Sequence, residues 1–452
     1  MSRERLIVVG GVAAGLSAAS QARRRNHEME IRVYERGPDI SYSACGLPYF
    51  VGGLVPDADT LRVHSPEFFR TERGIDVFTH HEVVEISTSR RRVSVVAPGG
   101  SPEDVYFDHL VLATGAEPAW PEIPGTGLKG VFHVNDLRSA IALKQHLEST
   151  TVQKAVIVGG GYIGLEMAEA LKVDGRTVTL LERSPRLFEA VDEEIVQVIG
   201  HELSRNGVEV FTDASVAALA EDARGVVRRV HSEGASFEAD CVVLATGVQP
   251  RAKLAQDAGI QLGAGGAVSV NEYQETSSAA VYAAGDCADT FNLVSGQRTY
   301  VPLGTTANKQ GRVAGENTAG GRERFPGIVG TAVVKVFGLE VARTGLSSDE
   351  ARAAGFRVAE ANVKAPARAR YLGGQDIVVK LIGDHSSGRL LGAQMVGPEG
   401  VAKRIDVLAT ALHSRLTAEQ VYQLDLSYAP PFSTVWDPIL IAARQLMHAL
   451  KT

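Results

Sequence analysis

Four features of the chain place reactive side chains in settings that suit chemistry. The first is a solitary cysteine in Ser41-Tyr42-Ser43-Ala44-Cys45-Gly46-Leu47-Pro48-Tyr49. The thiolate, not the thiol, is the nucleophile, so a working cysteine needs surroundings that favour its ionised form. Ser43, Ala44 and Gly46 are small enough to let a bulky reactant reach the sulfur. Pro48 suits the first turn of a following helix, whose N-terminal dipole favours an anion. A buried, structural thiol is the ordinary reading of an isolated cysteine, so the other features have to decide.

The second feature is a pair of acids, each ending a strand beside a glycine turn. Leu6–Val9 reads as a buried parallel strand, followed by Gly10-Gly11-Val12-Ala13-Ala14-Gly15 and a helix from Leu16 to Arg25. A second strand, Ile31–Tyr34, ends at Glu35, with Arg36 next. Glycines at such a junction let a pyrophosphate approach the backbone, and the acid accepts hydrogen bonds from a ribose. Val12 replaces the middle glycine of the usual G-x-G-x-x-G pattern. The second copy is intact: Ala155–Val158, then Gly159, Gly161 and Gly164 framing Gly160, Tyr162 and Ile163, then Val178–Leu181 ending at Glu182. That order and spacing define a dinucleotide site. Glu182 favours NADH by repelling a 2′-phosphate, while Arg183 and Arg186 could accommodate NADPH.

Third, two apolar strands end alike, in Ala113-Thr114-Gly115 and Ala245-Thr246-Gly247, each followed by a proline, at Pro118 and Pro250. Each closes one nucleotide unit, which implies a duplication rather than one long sheet. Thr276–Asp286 reads as a strand ending in Gly285-Asp286, where the acid can accept hydrogen bonds from the ribityl hydroxyls of a flavin. Cys241 and Cys287 read as small apolar fillers.

Fourth, Ser427-Tyr428-Ala429-Pro430-Pro431-Phe432-Ser433 is rigid and aromatic, which suits either presentation of the Tyr428 phenol to a site or packing at a domain edge.

These residues need a large scaffold to hold them. The chain has 452 residues, enough for two or three domains. Its 44% hydrophobic and 22% charged content are those of a globular protein. A net charge of −7 argues against nucleic acid as the main partner. No apolar run approaches membrane-spanning length. Three widely spaced cysteines offer neither a disulfide framework nor a metal site, so no metal is expected and a cytoplasmic location fits best. From about Gly327 the pattern changes to antiparallel strands at 331–337, 341–345, 376–382 and 390–396, with helices near 402–413, 418–424 and 438–450.

Together these features resemble the flavin-dependent pyridine nucleotide-disulfide oxidoreductases, and the resemblance runs along the whole chain. It implies an α/β fold with two Rossmann-like dinucleotide-binding domains, for FAD and NAD(P), and a C-terminal α+β dimerisation domain. The implied limits are 1–118 and 247–326 for the FAD domain, 119–246 for the NAD(P)H domain and 327–452 for the dimerisation domain. One cysteine, where other members carry a CxxxxC pair, is similar to the single-cysteine branch: coenzyme A-disulfide reductases, persulfide or polysulfide reductases, NADH oxidases and NADH peroxidases. The peroxidases carry a histidine where Ala13 stands here.

Within that branch, Gln21, Arg24 and Ser41 match coenzyme A contacts outright, and Ser17 and Arg73 match in kind. Three positions depart: Ala44 for an asparagine, Arg370-Tyr371 for a tyrosine pair, and the region of Trp436 for a lysine. The resemblance places Glu166 near the nicotinamide and Asn308 or Lys309 at the flavin. Cys45 is then the redox sulfur, carrying a thiol such as coenzyme A as a mixed disulfide. Tyr428 and Tyr371 complete the site across a homodimer interface. A water-forming NADH oxidase cycling Cys45 through sulfenic acid is the alternative activity, and a flavin redox sensor is a further one. No rhodanese-like domain is expected after residue 452.

Overall fold

The computed structural model describes residues 3–149 and 151–451. Two five-stranded parallel sheets repeat one plan. In the first, Arg5–Val9 is flanked by Glu30–Tyr34 and His109–Leu112, with Asp76–Phe78 and Val281–Ala283 outside. In the second, Lys154–Val158 is flanked by Thr177–Leu181 and Cys241–Leu244, with Val208–Phe211 and Val131–Phe132 outside. The central strands are continuous apolar runs because both faces are buried, one under helices and the other under an antiparallel meander. Strand Val281–Ala283 returns to the first sheet after the second is complete, so the second unit is inserted into the first.

Each sheet carries a three-stranded antiparallel meander that the sequence reading missed, Glu82–Tyr106 and Val216–Glu238. The helix read from Leu16 already begins at Ala13. Of the segment read as a strand from Thr276, only Val281–Ala283 is one; the rest is turn and loop.

The first helix packs along Gly304–Thr318 so closely that no side chain fits at the seam. A Cβ on Gly311 would lie 2.2 Å from Ala14 O, and one on Gly315 2.1 Å from Ala18 O. Backbones can come this near only where small residues face each other.

The C-terminal part is one antiparallel five-stranded sheet covered by helices Val401–His413 and Pro438–Ala449. The four expected strands are present, and a fifth, Val358–Pro366, forms the edge. Its alternating buried residues (Ala359, Ala361, Val363, Ala365) carry the two-residue period of a half-buried strand. Buried Lys380 fastens this sheet to the second nucleotide unit through Asp192 (2.9 Å), Glu194 (2.9 Å) and, within the sheet, Glu360 (3.0 Å). Burial alone would lower the Lys380 pKa, but the three carboxylates outweigh it and push it up to about 12. Among the described residues, no helix is long and apolar enough to cross a membrane.

Candidate active site

The two glycine turns are built alike, down to their hydrogen bonds. A Cβ on Gly10 would lie 2.1 Å from Ala113 O, and one on Gly15 1.9 Å from Gly10 O. In the second copy, Gly159 meets Ala245 O at 2.3 Å and Gly164 meets Gly159 O at 2.0 Å. Gly161, by contrast, opens onto free space, as a position over which a pyrophosphate passes should. Glu35 accepts from Gly11 N (2.8 Å) and Gly37 N (2.7 Å); Glu182 accepts from Gly160 N (2.7 Å) and Ser184 N (2.8 Å). Each acid therefore pins its own turn, and its oxygens keep lone pairs for a ribose. Arg36 is exposed beside Glu35. Tyr162 packs edge-on against Phe188, with ring centres 4.8 Å apart, and Ile163 is half-buried next to it.

The paired Ala-Thr-Gly segments do more than echo each other. Their exits, Ala116–Pro118 and Val248–Pro250, form a two-stranded antiparallel ribbon. Thr114 Oγ1 donates to Arg251 O (2.7 Å) and Thr246 Oγ1 to Ala119 O (2.5 Å), so each turn grips the other's chain. Gly115 and Gly247 have φ of 71° and 93°, in the left-handed region that favours glycine.

Gly285, at φ 82°, sits against the first turn, where an added Cβ would lie 2.7 Å from Ala14 Cβ. Its N–H donates to buried Gln310 Oε1 (2.9 Å). The Asp286 carboxylate accepts no hydrogen bond among the described residues, and burial pushes its pKa up. A half-buried acid without a donor at the mouth of the first turn fits the hydroxyls of a flavin ribityl chain. The open face at Gly161 fits a second dinucleotide in the same way.

Cys45 lies in the short turn Ala44–Gly46, and Pro48 does begin a helix, Leu47–Val51. Of the three free cysteines Cys45 is exposed, while Cys241 and Cys287 are buried. Its sulfur would stand 4.0 Å from a Cβ on Gly304, at the start of the helix that backs the first turn. The expected bias towards a thiolate is corrected here. Although the residue is exposed, the protein packed around its sulfur partly desolvates it and pushes the Cys45 thiol up, and the charges of Glu166 and Asp286 add to the effect. Leu47–Val51 is a five-residue helix, too short to offset them. Glu166, half-buried on Tyr162–Val173, is raised to about 7 by burial and by Glu169.

Ser17, Gln21 and Arg24 follow one another along one face of the first helix. Ser17 Oγ donates to Asn308 Oδ1 (2.8 Å), Gln21 Nε2 to Glu316 Oε2 (2.8 Å), and Arg24 Nη1 to Gln21 Oε1 (3.3 Å). Asn308 thus pairs with the helix residue Ser17, and Lys309 is exposed beside it. Ser41, at φ 48°, donates its N–H to Gly11 O (3.0 Å). Arg73 ends a separate helix and lies over the Phe68 ring.

Tyr428 and Tyr371 share a different surface, tied together by Ala369 N donating to Pro430 O (3.1 Å). They are 51% and 78% exposed, and among the described residues neither has a hydrogen bond or ring contact with Cys45 of its own chain. Sequence reasoning missed the residue that fixes this tail, Arg404. It bonds Asp437 Oδ2 (2.9 Å), Ala367 O (2.7 Å) and Phe432 O (3.3 Å), gathering both segments on one helix.

Two nucleotide units, a returning strand, an exposed cysteine between them and an antiparallel C-terminal sheet define a flavoprotein oxidoreductase. The pyridine nucleotide-disulphide oxidoreductase model matches residues 4–311, and the dimerisation-domain model of the same family matches 331–438. The chain belongs to this family, and its cofactors are FAD and NAD(P)H. It is 39% identical over 446 residues to the NAD(P)H coenzyme A polysulfide/persulfide reductase of Pyrococcus horikoshii, covering 98% of each chain. It is 36% identical over 448 residues to an NADH oxidase of Methanocaldococcus jannaschii, covering 99% of each. Its fold superposes on an NAD-dependent persulfide reductase from A. fulgidus with a TM-score of 0.95 at 41% identity, covering 98% of this chain and 83% of the other.

Proposed function

We propose that the protein reduces a disulfide or persulfide of the coenzyme A type with NAD(P)H, through a mixed disulfide on Cys45. The observation that carries this reading is the position of Cys45: the exposed cysteine among three, its sulfur 4.0 Å from where a Cβ on Gly304 would stand, at the start of the helix that backs the first glycine turn. When bound, the flavin relays two electrons from the nicotinamide to sulfur. The Cys45 thiolate attacks one sulfur of R–S–S–R′, forming Cys45–S–S–R and expelling R′S⁻. Two electrons then break the new bond, restoring the Cys45 thiolate and releasing RS⁻. The balance is NAD(P)H + H⁺ + RSSR′ → NAD(P)⁺ + RSH + R′SH.

Gly10, Gly11, Ala14, Gly15, Glu35, Arg36, Thr114, Gly115, Gly285 and Asp286 hold FAD in this reading. Gly159, Gly161, Tyr162, Ile163, Gly164, Glu166, Glu182 and Gly247 hold the nicotinamide nucleotide. Ser17, Gln21, Arg24, Ser41 and Arg73 hold the thiol substrate, with the two arginines facing its phosphates. The domain limits in this reading are 1–118 with 247–326, 119–246 and 327–452; the return of Val281–Ala283 to the first sheet supports a first domain in two parts. Exposed Phe432, Val435 and Trp436, contiguous in sequence with Tyr428, form an apolar face suited to a second copy of the chain. Tyr428 from that copy then protonates the leaving thiolate, with Tyr371 beside it. Three unpaired cysteines suit a reducing cytoplasm.

Likeness to the NADH oxidase of M. jannaschii supports a second activity, oxidation of NADH by oxygen; on this chain it would cycle Cys45 through sulfenic acid and form water. Cys45→Ser tests the main reading: the flavin stays bound and NAD(P)H-dependent disulfide reduction falls at least about a thousandfold. Turnover retained in that variant contradicts the proposal. Steady oxygen uptake exceeding disulfide turnover in the unaltered enzyme would favour the oxidase.

A further inference from the structure

Two tracks leave the Cys45 region and are fastened together at their far ends. The first helix and Gly304–Thr318 run side by side in the same direction, with Gly304 beside the Cys45 sulfur. Along that seam Ser17 Oγ donates to Asn308 Oδ1 and Gln21 Nε2 to Glu316 Oε2, each at 2.8 Å. At the helical rise, Gly304 and Glu316 stand about 18 Å apart. Arg24, whose Nη1 donates to Gln21 Oε1 (3.3 Å), therefore lies at the distal end. The second track starts from the cysteine segment itself, where Val63 N donates to Ser41 O (2.7 Å) and Ser43 N to Leu61 O (2.9 Å). His64 follows and stacks on Phe68 with ring centres 4.0 Å apart. Arg73 closes that helix, its guanidinium 5.6 Å from the Phe68 ring centre.

Arg23 joins the two tracks. Its Nε donates to Arg73 O (3.1 Å) and its Nη2 to Gly74 O (2.7 Å), at the end of one helix. Its Nη1 donates to His27 O (2.5 Å) and Asn26 O (3.4 Å), just past the end of the other. The planar fork of donors lets one side chain hold both ends at once, which the point charge of an ammonium does not reproduce. Neighbouring arginines are spent on carboxylates: Arg25 on Glu316 (3.6 Å), Arg62 on Asp39 (2.8 Å) and Arg70 on Glu67 (3.2 Å). Among the described residues Arg24 and Arg73 have no carboxylate partner. Arg23 thus brings together the ends that carry two guanidiniums left over for an anion.

We propose that Arg23 is a positioning residue for the substrate: its backbone clamp holds Arg73 beside Arg24, where the phosphates of a coenzyme A thiol lie when the sulfur is at Cys45. An extended phosphopantetheine arm spans roughly 15 Å from sulfur to the first phosphorus, the length of about four to five residues of extended chain. The seam from Gly304 to Glu316 is long enough to set those phosphates at the two arginines. Arg23 itself spends its donors on carbonyls and touches no substrate. A disulfide without phosphates uses only the near end of the tracks, so the clamp separates disulfides by their charge.

This inference rests on the coenzyme A reading of the substrate, so the test begins with a readout that needs no turnover. Calorimetric titration of the oxidised holoenzyme with dethio-coenzyme A, which keeps the phosphates and lacks the sulfur, reads binding at the distal end. Arg23→Met should raise its Kd about tenfold or more, the loss of one charge-assisted hydrogen bond. Added to Arg73→Gln, the Arg23→Met change should cost little more, because the clamp acts through Arg73. In turnover, KM for coenzyme A disulfide should rise by the same factor, while KM for the phosphate-free disulfide pantethine moves less than about twofold. If Arg23→Met does not fold, Arg23→Lys, which keeps the charge but not the fork, carries the test. A folded variant with unchanged Kd, or with an equal loss for both disulfides, overturns the proposal, as does an unaltered holoenzyme that binds no dethio-coenzyme A. A Kd weakened by Arg23→Met in an enzyme that never reduces disulfides supports the Arg23 assignment and contradicts the disulfide reading instead.

Discussion

Glu182 Oε2 accepts a hydrogen bond from Gly160 N at 2.7 Å, so the acid that ends its strand also fixes the turn that receives the dinucleotide. Glu35 holds Gly11 in the same way at 2.8 Å. The duplication thus extends beyond glycine spacing to the bond that sets each turn's shape. In the proposed reading, ribose recognition and the shape of the phosphate turn depend on one carboxylate.

Replacing Glu182 with alanine should consequently weaken both nicotinamide cofactors, NADH more than NADPH. KM for NADH should rise about tenfold or more, since an acid–ribose contact contributes about 1.5–3 kcal/mol. Arg183, exposed next to it, remains to meet a 2′-phosphate. Steady-state kinetics with both cofactors provide the check; an unchanged ratio of kcat/KM removes Glu182 from the ribose role.

Gly311→Val would force a side chain into the seam where Ala14 O stands 2.2 Å from the new Cβ. Overpacking of this kind costs about 1–3 kcal/mol. Because Ala14 also faces Gly285, the first glycine turn would shift with it. Thermal unfolding should show a lower Tm, and gel filtration should strip flavin that the unaltered protein retains.

Glu166→Gln should stabilise the protein at pH 8 and leave it unchanged at pH 4. The Glu166 carboxyl goes from an ordinary 4.5 to about 7 on folding, through burial and then Glu169. The folded state therefore binds the proton more tightly, and stability falls as pH rises from about 4.5 to about 7. Glutamine removes that loss. Tm measured against pH gives the answer, and parallel curves for the two proteins would contradict it.

Lys380→Met should be among the most damaging single changes outside the cofactor sites. It would leave Asp192 buried without its cation, at about 3–5 kcal/mol. Denaturant unfolding should show a midpoint lowered accordingly. A loss below about 1 kcal/mol would mean that water or Ser348, which already donates to Asp192, satisfies the carboxylate.

Features written in local sequence were legible. Both glycine turns, their acids, the four C-terminal strands and the cysteine segment are set by residue type over short spans, where backbone geometry leaves few choices. Features that depend on distant partners were not. The ribbon between residues 116–118 and 248–250 joins two segments whose likeness was visible but whose pairing was not. Strand Val358–Pro366 carries the alternation, with Asn362 and Lys364 on its outer face, but its buried positions are mostly alanine, a weak strand former. The raised Cys45 thiol comes first from desolvation by the packed fold and then from Glu166 and Asp286, all supplied by parts of the chain far away in sequence.

The central claim is that Cys45, lacking an internal partner, bonds a sulfur from outside. Mass spectrometry of the holoenzyme after exposure to coenzyme A disulfide tests it most directly. The account predicts one coenzyme A on the peptide containing Cys45, none on those containing Cys241 or Cys287, and its release on adding NADH. An unmodified Cys45, or an adduct that NADH leaves in place, would contradict it.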